Sequence, residues 1–175
     1  DANQTVSTGL YARLGLAPRS PIYLLRGTLP DGALPELEPG NATRPESATA
    51  VADNDRQLRG YERPQDPAFW ARDREGALFV DQSGAVRGYG YAQPSGRIGP
   101  VAAAGPSELP GMIGYLVRIT QVLEGRQLVV PGHAISALQP LLGAGLRIDG
   151  TPAVYCSQGP GPAFERYIPM SFALL

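Results

Sequence analysis

Few side chains in this sequence are suited to catalysis, and their spacing narrows the field further. His133 is the single histidine and follows Pro131-Gly132 at the start of an expected helix. Its ordinary pKa suits a base near neutrality, but with no evident carboxylate partner it reads as a cap or surface residue. Asp53, Asp55, Glu62 and Asp66 form an acidic group on and after one expected helix, which reads as a solvated helix face. Tyr89 and Tyr91 are two apart in an expected strand and so share one face, read as a packed sheet face rather than a ligand cleft. Arg97 stands between Gly96 and Ile98, where it could meet an anion; a structural ion pair is the expectation. Cys156 lies in an apolar stretch and is expected to be a buried, inert thiol.

Absences exclude more. All 15 basic residues are arginine, so no lysine is present for a Schiff base or a Walker phosphate loop. One cysteine and one histidine rule out an intrachain disulfide and a multi-histidine or thiolate-rich metal site. A net charge of −1 gives no footprint for nucleic acid. No apolar run approaches the roughly 18 residues that a membrane span needs. A reducing, cytoplasmic setting is expected. No Gly-x-Ser-x-Gly nucleophile motif is present for a hydrolase.

The elements that must position these groups follow from hydrophobic period and turn residues. Residues 3–14 predict a helix with Asn3 as cap, Val6, Leu10 and Leu14 on one face, and Gly15 as its stop. Residues 21–25 predict a strand. Residues 28–46, with Pro30, Pro35, Pro39 and Pro45, predict a linker. A helix over about 47–60, capped by Ser47, leads to Phe69 and Trp70, which should bury. Residues 77–81 and 86–92 form a hairpin about Gln82-Ser83-Gly84, and 97–103 the next strand, where Pro100 implies an edge or a bulge.

Ser107 should cap a helix over 108–123, with Met112, Leu116, Ile119 and Leu123 as its buried stripe. A strand at 127–130 and a helix at 133–144 follow, the helix broken or shortened by Pro140. Strands at 146–148 and 153–156 and an apolar tail over 163–175 complete the chain. The order after the linker implies a mixed sheet covered by helices.

A faint internal echo is also present. Helix, Gly-Leu and strand at 3–25 return at 133–155, with Gly15-Leu16 falling on Gly145-Leu146 and Tyr11 on Leu141. Helix–glycine–strand units are common, so the echo is a match of pattern rather than of sequence.

The stretch Asn3-Gln4-Thr5-Val6-Ser7-Thr8-Gly9-Leu10-Tyr11-Ala12-Arg13-Leu14-Gly15-Leu16 is similar to the GNAT N-acetyltransferase pattern of an Asn at a helix start, then Leu-Tyr, then Gly and a large apolar residue. Residues 47–175, through Ser95-Gly96-Arg97-Ile98-Gly99-Pro100 and Leu141-Leu142-Gly143-Ala144-Gly145-Leu146, resemble the degenerate second domain of tandem GNAT proteins.

The resemblance implies an α/β (α+β), GNAT-like fold with a mixed, mostly antiparallel sheet flanked by helices. It implies three parts: the last helix and strand of a preceding domain (1–27), a Pro-rich linker (28–46), and a degenerate GNAT-like domain (47–175). The parent activity implied is acyl transfer from acetyl-CoA to a small-molecule amine. Partners would be the missing N-terminal GNAT domain or a second copy, giving a homodimer. In that fold two parallel strands splay to admit the pantetheine arm, and the diphosphate rests on the N-terminus of the next helix. Tyr11 would be the general acid and Asn3 would sit near the pantetheine. Gly111 and Gly114 would be remnants of the second domain's phosphate loop.

That loop, Gly105-Pro106-Ser107-Glu108-Leu109-Pro110-Gly111, is badly composed for a diphosphate. Two prolines bring no N–H, and Glu108 puts negative charge in the first helical turn. Leu141, at the place corresponding to Tyr11, cannot donate a proton. The expectation is therefore a supporting domain that need not bind acetyl-CoA itself. The alternative is a scaffold or binding module that keeps the fold without the chemistry.

Overall fold

The computed structural model describes residues 4–37, 42–43, 48–60, 63–120 and 125–173. Nine strands form one sheet in the order β2-β3-β4-β5-β6-β1-β7, with β8 also paired to β1 and β9 to β5. The strands are β1 (Ala17–Gly27), β2 (Ala42–Thr43), β3 (Glu75–Val80), β4 (Val86–Ala92), β5 (Arg97–Ala103), β6 (Arg126–Pro131), β7 (Arg147–Ile148), β8 (Ala153–Ser157) and β9 (Tyr167–Ile168). The helices are α1 (Thr5–Arg13), α2 (Ala48–Arg59), α3 (Asp66–Trp70), α4 (Leu109–Ile119) and α5 (Ile135–Gly143). Every pairing is antiparallel except β5 with β6. This is the expected mixed, mostly antiparallel sheet flanked by helices. Among the described residues no helix is long and apolar enough to cross a membrane.

Alternation along the strands divides the core into two faces. Leu128 and Val130 join Ala77, Phe79, Ile98 and Val101 in a cluster with Met112, Ile113 and Leu116 of α4 and Leu138 and Leu141 of α5. Val129 turns the other way, with Ile22, Ala102, Tyr89, Tyr91 and Trp70. In β4 the repeat Gly88-Tyr89-Gly90-Tyr91 serves both faces at once. A Cβ on Gly90 would lie 2.6 Å from Leu116 Cδ1, so the glycine lets α4 lie close while the tyrosines fill the opposite side.

β1 lies inside the sheet. Its Ile22–Gly27 run pairs with β6, and its other edge carries β8 and then β7. Ile22 and Leu25 are fully buried. In contrast, α1 buries no residue, and Val6, Leu10 and Leu14 are 79%, 53% and 59% exposed.

The echo in the sequence has a structural counterpart. Gly15 N–H donates to Ala12 O and Leu16 N–H to Tyr11 O; Gly145 N–H donates to Leu142 O and Leu146 N–H to Leu141 O. Both glycines hold positive φ, at 80° and 109°, as a left-handed helix stop requires. The two units then set their strands side by side, antiparallel.

Several local expectations are corrected. Ser107 does not cap α4: a short 3-10 turn, Pro106–Glu108, precedes the helix, and the Glu108 carboxylate accepts the Gly105 N–H instead. α4 ends at Ile119, because Thr120 is already extended. α5 starts at Ile135, so His133 precedes it, and the helix runs through Pro140 to Gly143. Cys156 is half-buried, its thiol against Val154 O, rather than sealed in the core. The cap positions Asn3 and Ser47, with Glu62, Leu123, Leu174 and Leu175, lie outside the described residues.

Candidate functional site

The site implied by the fold is the divergence of the two parallel strands β5 and β6. They pair only at Arg97 with Gln127 and Ile98 with Leu128. Pro100 then brings no N–H to the ladder, and β6 departs. β5 is no edge strand, contrary to one expectation from Pro100; the other, a bulge, is met by the register shift opposite it between Gly90 and Ala92 of β4.

Since β4 occupies one edge of β5, only the edge vacated by β6 remains for a further partner. The chain's own tail takes it. Val101 pairs with Ile168 and Ala102 with Tyr167, and Ala103 N–H donates to Arg166 O at 3.0 Å. Gly99 has φ +135°, and a Cβ there would lie 2.7 Å from Pro169 O. Tyr167, Ile168 and Met170 are buried. The backbone groups that a pantetheine arm would pair with are thus already paired.

The turn into α4 is equally committed. Glu108 Oε2 accepts the Gly105 N–H at 2.8 Å, and its Oε1 accepts Arg87 Nη2 at 2.6 Å and Nε at 2.9 Å. The hydrogen bonds and opposite charge of the Glu108 carboxylate hold the Arg87 guanidinium above its ordinary pKa. Ser136 Oγ donates to Pro106 O at 2.6 Å, fixing the turn to α5. Gly111 and Gly114 sit within α4 against the segment that follows β1: added Cβ atoms would lie 3.0 Å from Leu37 Cδ2 and 3.0 Å from Pro35 O. The residues present therefore do not fit the diphosphate and pantetheine of acetyl-CoA.

The other sequence-marked residues are dispersed. Tyr11 is half-buried on α1, which packs against β1 and β8, whereas the 105–111 turn packs on α5 and pairs with Arg87. Asn3 lies outside the described residues. His133 is exposed. Among the described residues no group of three or more His, Cys, Asp or Glu could hold a metal.

The acidic group is the main revision. Asp55 and Asp66 are buried, not solvated. Arg59, 1% exposed, pairs with Asp55 one helical turn earlier and with Asp66 at 3.3 Å. Tyr89 Oη donates to Asp55 Oδ1 at 2.5 Å. Burial lowers the Arg59 pKa, but Tyr89, Tyr167 and Asp55 outweigh it and raise the group above the usual arginine range. Burial pushes Tyr89 well above its ordinary value, and burial with Asp55 lifts Tyr91 to about 12. These groups lock α2 and α3 onto the sheet. The i, i+4 spacing of Asp55 and Arg59 could have revealed the pair, but surface helices show the same spacing.

Arg97 also departs from expectation. Among the described residues it makes no ion pair. With the Gln127 amide oxygen turned toward it, its Nε donates at 2.8 Å and its Nη2 at 3.0 Å.

No protein-family model matches the sequence, and no curated protein matches it. Solved structures do. A Pyrococcus horikoshii protein, named as a candidate acetyltransferase in its crystal structure, superposes with a TM-score of 0.69 at 13% identity over 98% of this chain. A GCN5-related N-acetyltransferase from Sphaerobacter thermophilus superposes over 90% of the chain at 19% identity, with a TM-score of 0.44. The chain spans 58% of the length of each of those proteins. The fold is GNAT-like, a mixed, mostly antiparallel sheet flanked by helices. At these identities the likeness is one of fold alone.

Proposed function

We propose that this chain is the C-terminal portion of a tandem acetyl-CoA-dependent N-acyltransferase. Residues 1–27 are the last helix and strand of the preceding, catalytic domain, the strand being shared with the sheet of this one. Residues 47–175 form a degenerate GNAT-like domain that supports it without holding acetyl-CoA. The parent reaction transfers an acyl group to a small-molecule amine. The observation that carries this reading is the pairing of Val101 and Ala102 with Ile168 and Tyr167, which closes the strand gap. The exposed face of α1, the matched helix stops at Gly15 and Gly145, and the 58% span add support. Acetyl-CoA chemistry would then belong to the domain that α1 completes, where Tyr11 would be the general acid.

The test is thioester cleavage with a panel of small amines, using this chain and a version extended at its N-terminus. Only the extended protein should turn over. Within it, Tyr11→Phe should lower kcat by about 100-fold or more with KM for acetyl-CoA little changed. Turnover by the short chain, or an extended protein indifferent to Tyr11→Phe, contradicts the assignment. An extended protein that neither binds nor cleaves acetyl-CoA would instead support a scaffold that retains the fold alone.

A further inference from the structure

A row of cations crosses the sheet where β5 and β6 still pair. Arg26 is opposite Gln127, and Gln127 is opposite Arg97, so the three stand abreast on adjacent strands. By alternation they share the face of Leu24 and Val129. The tail, continuing past β9, brings Ser171 and Phe172 over them. Together these residues and Leu128 wall a partly open cavity of about 140 Å³. That is close to the volume of an apolar cavity that admits benzene.

The charges around this cavity do not balance. Arg26 Nη1 meets Asp149 Oδ2 at 3.1 Å, both side chains about half exposed, so that pair is well screened. Arg97 has a neutral amide for its partner. Arg74 lies within electrostatic reach of Arg97; its side chain is 4% exposed, and among the described residues its Nε and Nη1 have no hydrogen-bond partner. Among the described residues its ion-pair partner is Asp73, 3.5 Å away, 60% exposed, and accepting also from Gln93. Burial, with Arg97 adding to it against Asp73, lowers the Arg74 pKa. Donors buried without acceptors are costly, and a carboxylate on Arg97 would add negative charge beside this cation cluster.

We propose that this cavity binds the carboxylate of a small organic acid, its charge on Arg97 and Arg26 and its apolar body against Leu24, Val129 and Phe172. The proposal does not rest on the proposed function. Benzoate is the probe, followed by calorimetry or by chemical shifts of the chain, with benzyl alcohol as its neutral counterpart. Benzoate should saturate, and benzyl alcohol should not. Arg97→Gln should weaken benzoate binding by about 10-fold or more, with Arg97→Lys recovering part of it. Arg26 is half-exposed, so Arg26→Gln will fold; it should also weaken binding, because Asp149 is then left unpaired beside the ligand. Failure of benzoate to saturate, equal binding of benzyl alcohol, or benzoate affinity unchanged in Arg26→Gln and Arg97→Gln overturns the proposal.

Discussion

Ile168 lies opposite Val101 on the edge of β5 that β6 has left. The arrangement depends on Gly99, whose φ of +135° and missing Cβ allow Pro169 O to pass close by. The tail is thereby an integral strand. Its hydrogen bonds take the place that an extended ligand arm would need.

Replacing Gly99 with alanine tests that packing. The φ is unfavourable for any L side chain, and the new Cβ would press on backbone rather than on a yielding side chain. Gly99→Ala should cost about 1–3 kcal/mol, lowering Tm by roughly 2–4 °C per kcal/mol. Faster hydrogen exchange at Ala103 N–H, the donor to Arg166 O, should accompany it. Unchanged stability and exchange would mean that the tail does not pack there.

The Asp55–Arg59–Asp66 network gives a second prediction. Arg59→Met leaves buried Asp55 without its cation, while Asp66 keeps Arg63 at 3.2 Å, and should destabilise by about 3–5 kcal/mol. Tyr89→Phe removes one donor to Asp55 and should cost about 1–3 kcal/mol. Denaturant unfolding reads both. Near-neutral changes would return these acids to a solvated helix face.

Alkaline stability follows from the buried tyrosines. Tyr91 titrates at about 12 in the folded chain against an ordinary 10.0. Between those values the unfolded chain has released the proton and the folded chain has not, so unfolding is favoured as pH rises. Stability from this group is complete below pH 10 and declines through the window to 12, by about 3 kcal/mol. Tyr89, also raised, acts in the same direction. Unfolding measured from about pH 8 upward should show this fall, and Tyr91→Phe should reduce it. Stability that rises with pH in that range would contradict the burial of these hydroxyls.

Much of the fold was legible in the residues. Gly15 and Gly145 marked helix stops, the Tyr89 and Tyr91 spacing marked a packed face, and alternation placed β3 to β6. The composition of the 105–111 turn already argued against a phosphate site. What the residues concealed was long-range pairing. Nothing in Tyr167-Ile168 alone says that it will lie along Val101 and Ala102, because a two-residue strand is defined by its partner. Asp55 and Asp66 looked like part of a solvated acidic face because helical spacing is the same whether the face is wet or buried. Arg97 looked like half of an ion pair, and its amide partner, 30 residues away on β6, carries no charge to announce itself.

Calorimetric titration of acetyl-CoA into this 175-residue chain tests the account most directly. With β9 seated along β5 and Glu108 heading α4, no saturable heat should appear, whereas the N-terminally extended protein should bind. Saturable binding by the short chain, abolished by substitutions in the 105–111 turn, would contradict it.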